Sequence, residues 1–405
     1  MNIYFIIILS KLLFFIIFIN FNLNLISNFK KFFCYISKKY EIIKLENYLK
    51  FCNNYKLVKK FKKIINPKIS IISPIFNREK FILRFLRSIQ YQNFYNIEII
   101  LVDDFSLDNS VEIIKQYQKL DERIILIKNK KNKGTFITRN IGALYAKGKY
   151  IIIPDPDDII SQNILHICYN YAERYKYELI RFNIYNGKNK PFFYDKNKLV
   201  NKQINQPEIS TLIFYIDNEF NMNDYFIYNK FIKKDVYIKA MNNIGDNYLN
   251  LYMTMNEDQV INYILHRTAK SFYYIKKIGY RYIINKSSIT NTLIKKSSKY
   301  IYFRFIYIYF IFELSKNIKY EKDIINYLLN KLYNNVFQFN NKILSFNTNY
   351  YTFYLKLINK YLNCIFITKE NNYFLNALKN LIEKYINILC CHNPFYSIHK
   401  IYYKF

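Results

Sequence analysis

The chain has 405 residues, is 51% hydrophobic and carries a formal charge of +32, so it is long and apolar enough to bury one large core or two ordinary ones. Isoleucine, asparagine, lysine, tyrosine and phenylalanine dominate and tryptophan is absent, the signature of A/T-rich codons, so much of the lysine excess reads as dispersed mutational drift. No nucleic-acid-binding motif accompanies the charge, so no nucleic-acid partner is expected; an anionic lipid surface or a phosphorylated small substrate suits it as well.

Residues 3–19 are almost wholly apolar, interrupted by Ser10 and Lys11, and extension to Ile26 approaches the roughly 20 residues that span a bilayer. Neither a basic leader nor a small-residue cleavage site precedes a mature chain, so 1–26 is expected to be a retained single-pass anchor, with a cleaved signal segment as the alternative. Lys30, Lys31, Lys38 and Lys39 follow it and argue for a cytosolic bulk; the expected location is an endomembrane, ER or Golgi, and the side of the membrane stays open. Residues 27–67 are polar and lysine-rich and read as a stem or linker.

From residue 68 the pattern changes. Lys68–Ile75 predicts a strand, 79–91 a helix, Ile97–Val102 a strand, 108–119 a helix, 123–128 a strand, 135–147 a helix and 149–154 a strand. Strands alternating with helices predict a parallel sheet with right-handed crossovers, whose ligands gather beyond the carboxyl ends of the strands. Each predicted strand ends in polar or special residues: Asn77 and Arg78, then Asp103 and Asp104, then Asp155, Asp157 and Asp158. The last group crowds carboxylates at the end of a buried run, and a hard divalent cation is the usual answer to that repulsion. After residue 295 the chain reads as mostly helical, and the aromatic run 301–312 is too short to cross a membrane. Six cysteines at irregular spacing form no disulfide framework, and Cys390, Cys391, His392 and His399 read as a tail cluster, since adjacent cysteines suit tetrahedral zinc poorly.

The segments KISIISPIFNRE, SIQYQNFYNIEIILVDDFSLDNS and NKGTFITRNIGALYAKGKYIIIPDPDD, in that order over 68–158, resemble the nucleotide-sugar half of an inverting family 2 glycosyltransferase. The resemblance implies the GT-A fold, a mostly parallel mixed sheet flanked by helices, over 68–294, ahead of the helical region read from the sequence at 295–405. It implies that Pro74 and Phe76 pack on a uracil-type base, that Asn77, Arg78 and Asp103 line that strand end, and that Asp104 accepts a hydrogen bond from the base. Physically, an aromatic face suits a planar base, and a carboxylate can accept from a ring N–H. Gly134 is expected to permit a tight turn, and Arg139 to approach the nucleotide.

By the same resemblance Asp155, Asp157 and Asp158 hold Mn2+ or Mg2+ against the diphosphate of the donor. Asn256-Glu257-Asp258-Gln259 resembles the family's acidic pair, with Asp258 as the base that deprotonates the acceptor and Glu257 in support. The bare alternative is two acids favouring a helix dipole. Residues 229–237 resemble an acceptor-side stretch; Tyr280-Arg281-Tyr282 and Ser287-Ser288-Ile289-Thr290 resemble a closing segment in which Arg281 meets the diphosphate. Without tryptophan the chain cannot carry the motif of the processive synthases, so a single sugar is expected to move from a nucleoside-diphosphate sugar to a hydroxyl on lipid, protein or glycan. Two other readings stand beside this one: a catalytically inactive nucleotide-sugar or glycan binder, and a basic protein of membrane surfaces or nucleic acid.

Overall fold

The structure is a computed structural model, and it describes residues 39–48, 50, 52–53, 60–185, 203–205, 215–216, 219–220, 226–244 and 252–284. The chain divides into two compact units, Met1–Lys56 and Leu57–Phe405. In the first, residues 39–48 are helical. The segments expected to be anchor (1–26) and helical C-terminal region (295–405) lie outside the described residues, as does the Ser287–Thr290 stretch. Among the described residues no helix is long and apolar enough to cross a membrane.

The second unit is built as β1 (Ile69–Ile75), α1 (Glu79–Gln90), β2 (Ile97–Asp103), α2 (Ser110–Gln118), β3 (Ile124–Lys128), α3 (Thr135–Tyr145), β4 (Tyr150–Ile152), β5 (Ile159–Ile160), α4 (Ile164–Tyr175) and β6 (Leu179–Tyr185). It continues with β7 (Gln203–Asn205), β8 (Tyr215–Ile216), β9 (Glu219–Phe220), β10 (Lys230–Lys233), α5 (Lys234–Asn242), α6 (Glu257–Thr268) and β11 (Ser271–Arg281). The strands and helices expected between 68 and 154 are all present, with bounds shifted by a few residues. The main sheet runs β3-β2-β1-β4-β10-β6-β11-β5, with β7 on β11. The first four are parallel neighbours; β10 runs antiparallel between β4 and β6, which makes the sheet mixed.

Every residue of β1 and β2 is buried, the mark of a central parallel sheet covered on both faces. Ile69, Ile71 and Ile75 join Ile82, Phe85, Leu86 and Ile89 of α1 in one core cluster. Ile72, one residue out of phase, faces α3. There Gly142 lets the helix settle onto the sheet, since a Cβ at that position would come within 2.3 Å of Ile72 Cγ2. Pro74 sits inside β1 beyond its last pairing with β4 at Ile71–Ile152, so its missing N–H interrupts no ladder on that side. Because β1, β2 and β4 are parallel, Phe76–Arg78, Asp104–Phe105 and Asp155–Asp158 all emerge at one edge of the sheet.

Candidate active site

The β1 and β2 ends are stitched together by side chains. The Asp104 N–H donates to Ile75 O at 2.8 Å, and the Asn77 N–H donates to Ser106 Oγ at 3.0 Å. Asn77 returns a bond by accepting the Leu107 N–H at 2.9 Å. Asp108 accepts from the backbone of both Glu79 and Ser110, each at 3.0 Å, so one carboxylate serves the starts of α1 and α2. Asn77 and Phe105 both hold positive φ, 53° and 69°, at these strand ends. The result is two exposed rings, Phe76 and Phe105, on neighbouring strand ends. Phe105 was not singled out from the sequence. Its exposure depends on a backbone conformation that residue type alone does not reveal.

Asp104 is buried and organises the loop that leads into α3. Its carboxylate accepts from Asn129 Nδ2 at 2.8 Å, the Lys133 N–H at 2.8 Å and the Gly134 N–H at 2.9 Å. A carboxylate offers about four lone-pair sites, so about one remains for a ligand. Gly134 adopts φ 86°, ψ 158°, a region open almost only to glycine. A Cβ there would meet Met253 O at 2.8 Å. Asp103 points into its own turn, where it accepts the Ser106 N–H at 3.3 Å.

At the β4 end, a turn closed by the Asp158 N–H donating to Asp155 O at 3.3 Å carries the three aspartates. They do not converge. Both Asp158 oxygens are engaged within the protein, Oδ1 by the Ile283 N–H at 2.6 Å and Oδ2 by the Tyr280 hydroxyl at 2.8 Å. Burial, then the charges of Asp157 and Asp155, raise the Asp158 pKa well above the ordinary range. Asp155 and Asp157 are only partly buried. Burial raises the Asp157 pKa, and the Asp155 charge adds to it, opposed by Arg78 and Arg84. Arg84 also donates to the Asp157 carbonyl at 2.7 Å.

Among the described residues no three His, Cys, Asp or Glu side chains form a metal cage. Two hard-oxygen donors are nevertheless what Mg2+ or Mn2+ commonly takes from a protein when substrate phosphates complete the shell. Asp155 and Asp157 fit that demand. Asp158, fully committed to Tyr280 and Ile283, does not fit the ligand role expected of it. In the sequence Tyr280 stands out only as part of a stretch; its hydroxyl role depends on a contact with a segment over a hundred residues earlier.

The acidic pair opens α6, where Asn256 takes the left-handed φ of 61° and turns the chain inward. Glu257 and Asp258 meet Arg139 of α3, whose side chain is 3% exposed. Arg139 Nη1 donates to Glu257 Oε1 at 2.9 Å and to Asp258 Oδ1, and Nη2 donates to Asp155 Oδ1 at 2.8 Å. The guanidinium expected to approach the nucleotide is therefore turned onto three carboxylates. Burial opposes the Arg139 charge, but Asp258, Asp155 and Glu257 outweigh it and hold its pKa above the ordinary value. Burial pushes the Glu257 pKa up to about 8 against the pull of Arg139, with Asp258 adding to the rise. Asp258 is also raised, by burial first, with Arg139 opposing and Asp155 reinforcing.

Arg281 ends β11 with its guanidinium 4.9 Å from the centre of the Tyr185 ring. Of the acceptor-side stretch 229–237, Asn229, Lys230, Phe231 and Tyr237 are buried; Lys230 Nζ donates to Phe226 O at 2.9 Å and Asn229 Oδ1 at 2.7 Å. Tyr228 stacks on Tyr280 with ring centres 4.5 Å apart, extending an aromatic layer beside the acids.

Residues 70–245 match the sequence model of the family described as Glycosyl transferase family 2. This segment is thus similar to the family 2 glycosyltransferases, and its mixed sheet flanked by helices fits the GT-A fold. Curated relatives include the glycosyltransferase GlyG of Streptococcus pneumoniae, 36% identical over 118 residues, covering 29% of this chain and 39% of that protein. The minor teichoic acid biosynthesis protein GgaB of Bacillus subtilis is 30% identical over 240 residues, covering 58% of this chain and 25% of that protein. The matched stretch of this chain thus spans well under half of either relative. Among solved structures, S. aureus TarS 1-349 in complex with UDP aligns with a TM-score of 0.51 at 18% identity, over 71% of this chain and 78% of that one. The same protein in complex with UDP-GlcNAc aligns equally, at 17% identity. At such identity these structures bear on the fold alone.

Proposed function

We propose that this protein moves a single sugar from a nucleoside-diphosphate sugar, of the uridine type, to an acceptor hydroxyl with inversion at the anomeric carbon. One observation carries the reading. Glu257 and Asp258, about a hundred residues beyond the β4 end, meet Asp155 around one guanidinium at the edge where β1, β2 and β4 all terminate. In this reading the exposed Phe76 and Phe105 rings, with Pro74 and Asn77 behind them, hold the base, and the remaining site on Asp104 accepts its ring N–H. UDP and UDP-GlcNAc in complex with the similarly folded TarS support a uridine nucleotide.

Asp155 and Asp157 would hold Mn2+ or Mg2+, which when bound offsets negative charge on the departing nucleoside diphosphate. Asp158 fixes the turn that presents them. Arg78 and Arg84 face Asp157, and Arg281 stands at the neighbouring β11 end, where a guanidinium suits phosphate oxygens. Asp258, partly open to solvent, takes the acceptor proton while Glu257 behind it shares Arg139. The acceptor hydroxyl belongs to a lipid, protein or glycan, and residues 1–26 attach the chain to a membrane. The test is turnover of a panel of UDP-sugars with Mn2+, comparing wild type with Asp258→Asn. Undiminished transfer by that variant would sink the assignment of the base.

A further inference from the structure

We propose that Arg139 is a positioning residue, which sets the Asp258 carboxylate for proton abstraction and ties it to the Asp155 strand end. This rests on the reading of Asp258 as the base.

The geometry suits an internal clamp. Nη1 reaches both members of the acidic pair and Nη2 reaches Asp155, so one planar group spans carboxylates from β4 and α6. Arg139 holds Asp258 through Oδ1, while the side chain stays 19% exposed. The carboxylate also accepts the Ile227 N–H; with about four lone-pair sites it keeps capacity for an acceptor hydroxyl on its exposed side. Glu257, 8% exposed, contributes no such face and serves to hold the guanidinium.

The backbone supports the same assignment. The Phe136 N–H, in the first turn of α3, donates to Met253 O at 3.1 Å, and Gly134 leaves no room between the two segments. Tyr237 of α5 packs alongside, its hydroxyl donating to Asn140 Oδ1 at 2.7 Å. The Arg139 Cα is thus fixed by its helix and the approach of α6 is fixed by the 252–256 turn, so the guanidinium joins two rigid parts. Lysine carries the charge but cannot span these acceptors, because its donors sit on a single nitrogen.

The test compares Arg139→Lys and Arg139→Ala with wild type. A clamp predicts that Arg139→Lys binds UDP with Mn2+ at nearly wild-type affinity by calorimetry and keeps its donor KM. Its kcat falls by about a hundredfold, the scale of an ångström misplacement of a reacting group. Guanidine added to Arg139→Ala restores part of kcat. Hydrogen exchange over residues 252–268 quickens in Arg139→Ala, a readout that needs no turnover. Wild-type kcat in Arg139→Lys, loss of UDP affinity in step with kcat, or unchanged exchange in Arg139→Ala would each overturn the proposal. If Asp258→Asn keeps full turnover, the reading of the base fails instead, and the exchange measurement still judges the clamp.

Discussion

The Tyr280 hydroxyl accepts the Asp155 N–H at 3.1 Å and donates to Asp158 Oδ2 at 2.8 Å. One phenol from β11 thereby fixes the backbone of the first aspartate and the side chain of the last. Tyr280 and Asp158 are both buried, so the Asp158 carboxyl finds no water if the hydroxyl is removed. Tyr280→Phe keeps the ring and its stacking on Tyr228 while deleting both bonds. Leaving a buried polar group unpaired costs about 1–3 kcal/mol. The variant should melt several degrees lower and lose turnover through a looser strand end. Thermal denaturation beside a kinetic assay checks this, and an unchanged melting temperature would contradict the bridging role.

Asp157 has the opposite balance. Burial and the Asp155 charge both raise its pKa, so the ionised side chain is held against local electrostatics. Charge kept in such a place commonly reflects function. Asp157→Ala should therefore melt at or above the wild-type temperature while transfer falls on the order of a hundredfold or more. EDTA should abolish transfer by the wild type, and added Mn2+ or Mg2+ should restore it. Full activity in EDTA would remove the cation from the reading.

The elements from Lys68 to Ile152 were legible because their signals are local. Alternation of isoleucine-rich runs with amphipathic stretches sets strand and helix, and the aspartates mark where a buried run stops. What the side chains then do was less legible. Arg139 was expected to face nucleotide, yet it meets Glu257 and Asp258, 118 and 119 residues away, and no local pattern encodes that meeting. Asp158 carries the same carboxylate as its neighbours, and only the arrival of Tyr280 and Ile283 from β11 separates its duty from theirs. Asp104 was expected to read a base; most of its capacity goes to the 129–134 loop, a commitment that follows from how that loop folds back.

Gly134 joins that loop to α3 at φ 86° and ψ 158°. Any side chain there meets two penalties, a backbone region costing about 1–3 kcal/mol and a collision with the Met253 carbonyl. Gly134→Ala should lose at least that much stability. Because the Gly134 N–H is one of the donors to Asp104, the shift should also weaken UDP binding, read by calorimetry. A substitution that leaves both melting temperature and UDP affinity unchanged would show that the turn is not under this constraint.

Glu257 makes stability depend on pH in a defined direction. Its folded pKa is pushed up to about 8 from an ordinary 4.5, chiefly by burial. Between those values the native chain still binds a proton that the unfolded chain has released, so raising the pH favours unfolding. Its contribution is least unfavourable below 4.5 and is fully unfavourable above about 8. Glu257→Gln stays neutral throughout, and its side-chain carbonyl can still accept from Arg139 Nη1. The variant should show a flatter decline of melting temperature with pH across that window, the remaining slope coming from Asp157, Asp158 and Asp258, which are raised in the same sense. Melting curves of the two proteins at matched pH values decide the matter: parallel declines would mean that Glu257 is already ionised in the folded state at low pH, stabilised by Arg139 more strongly than burial opposes it.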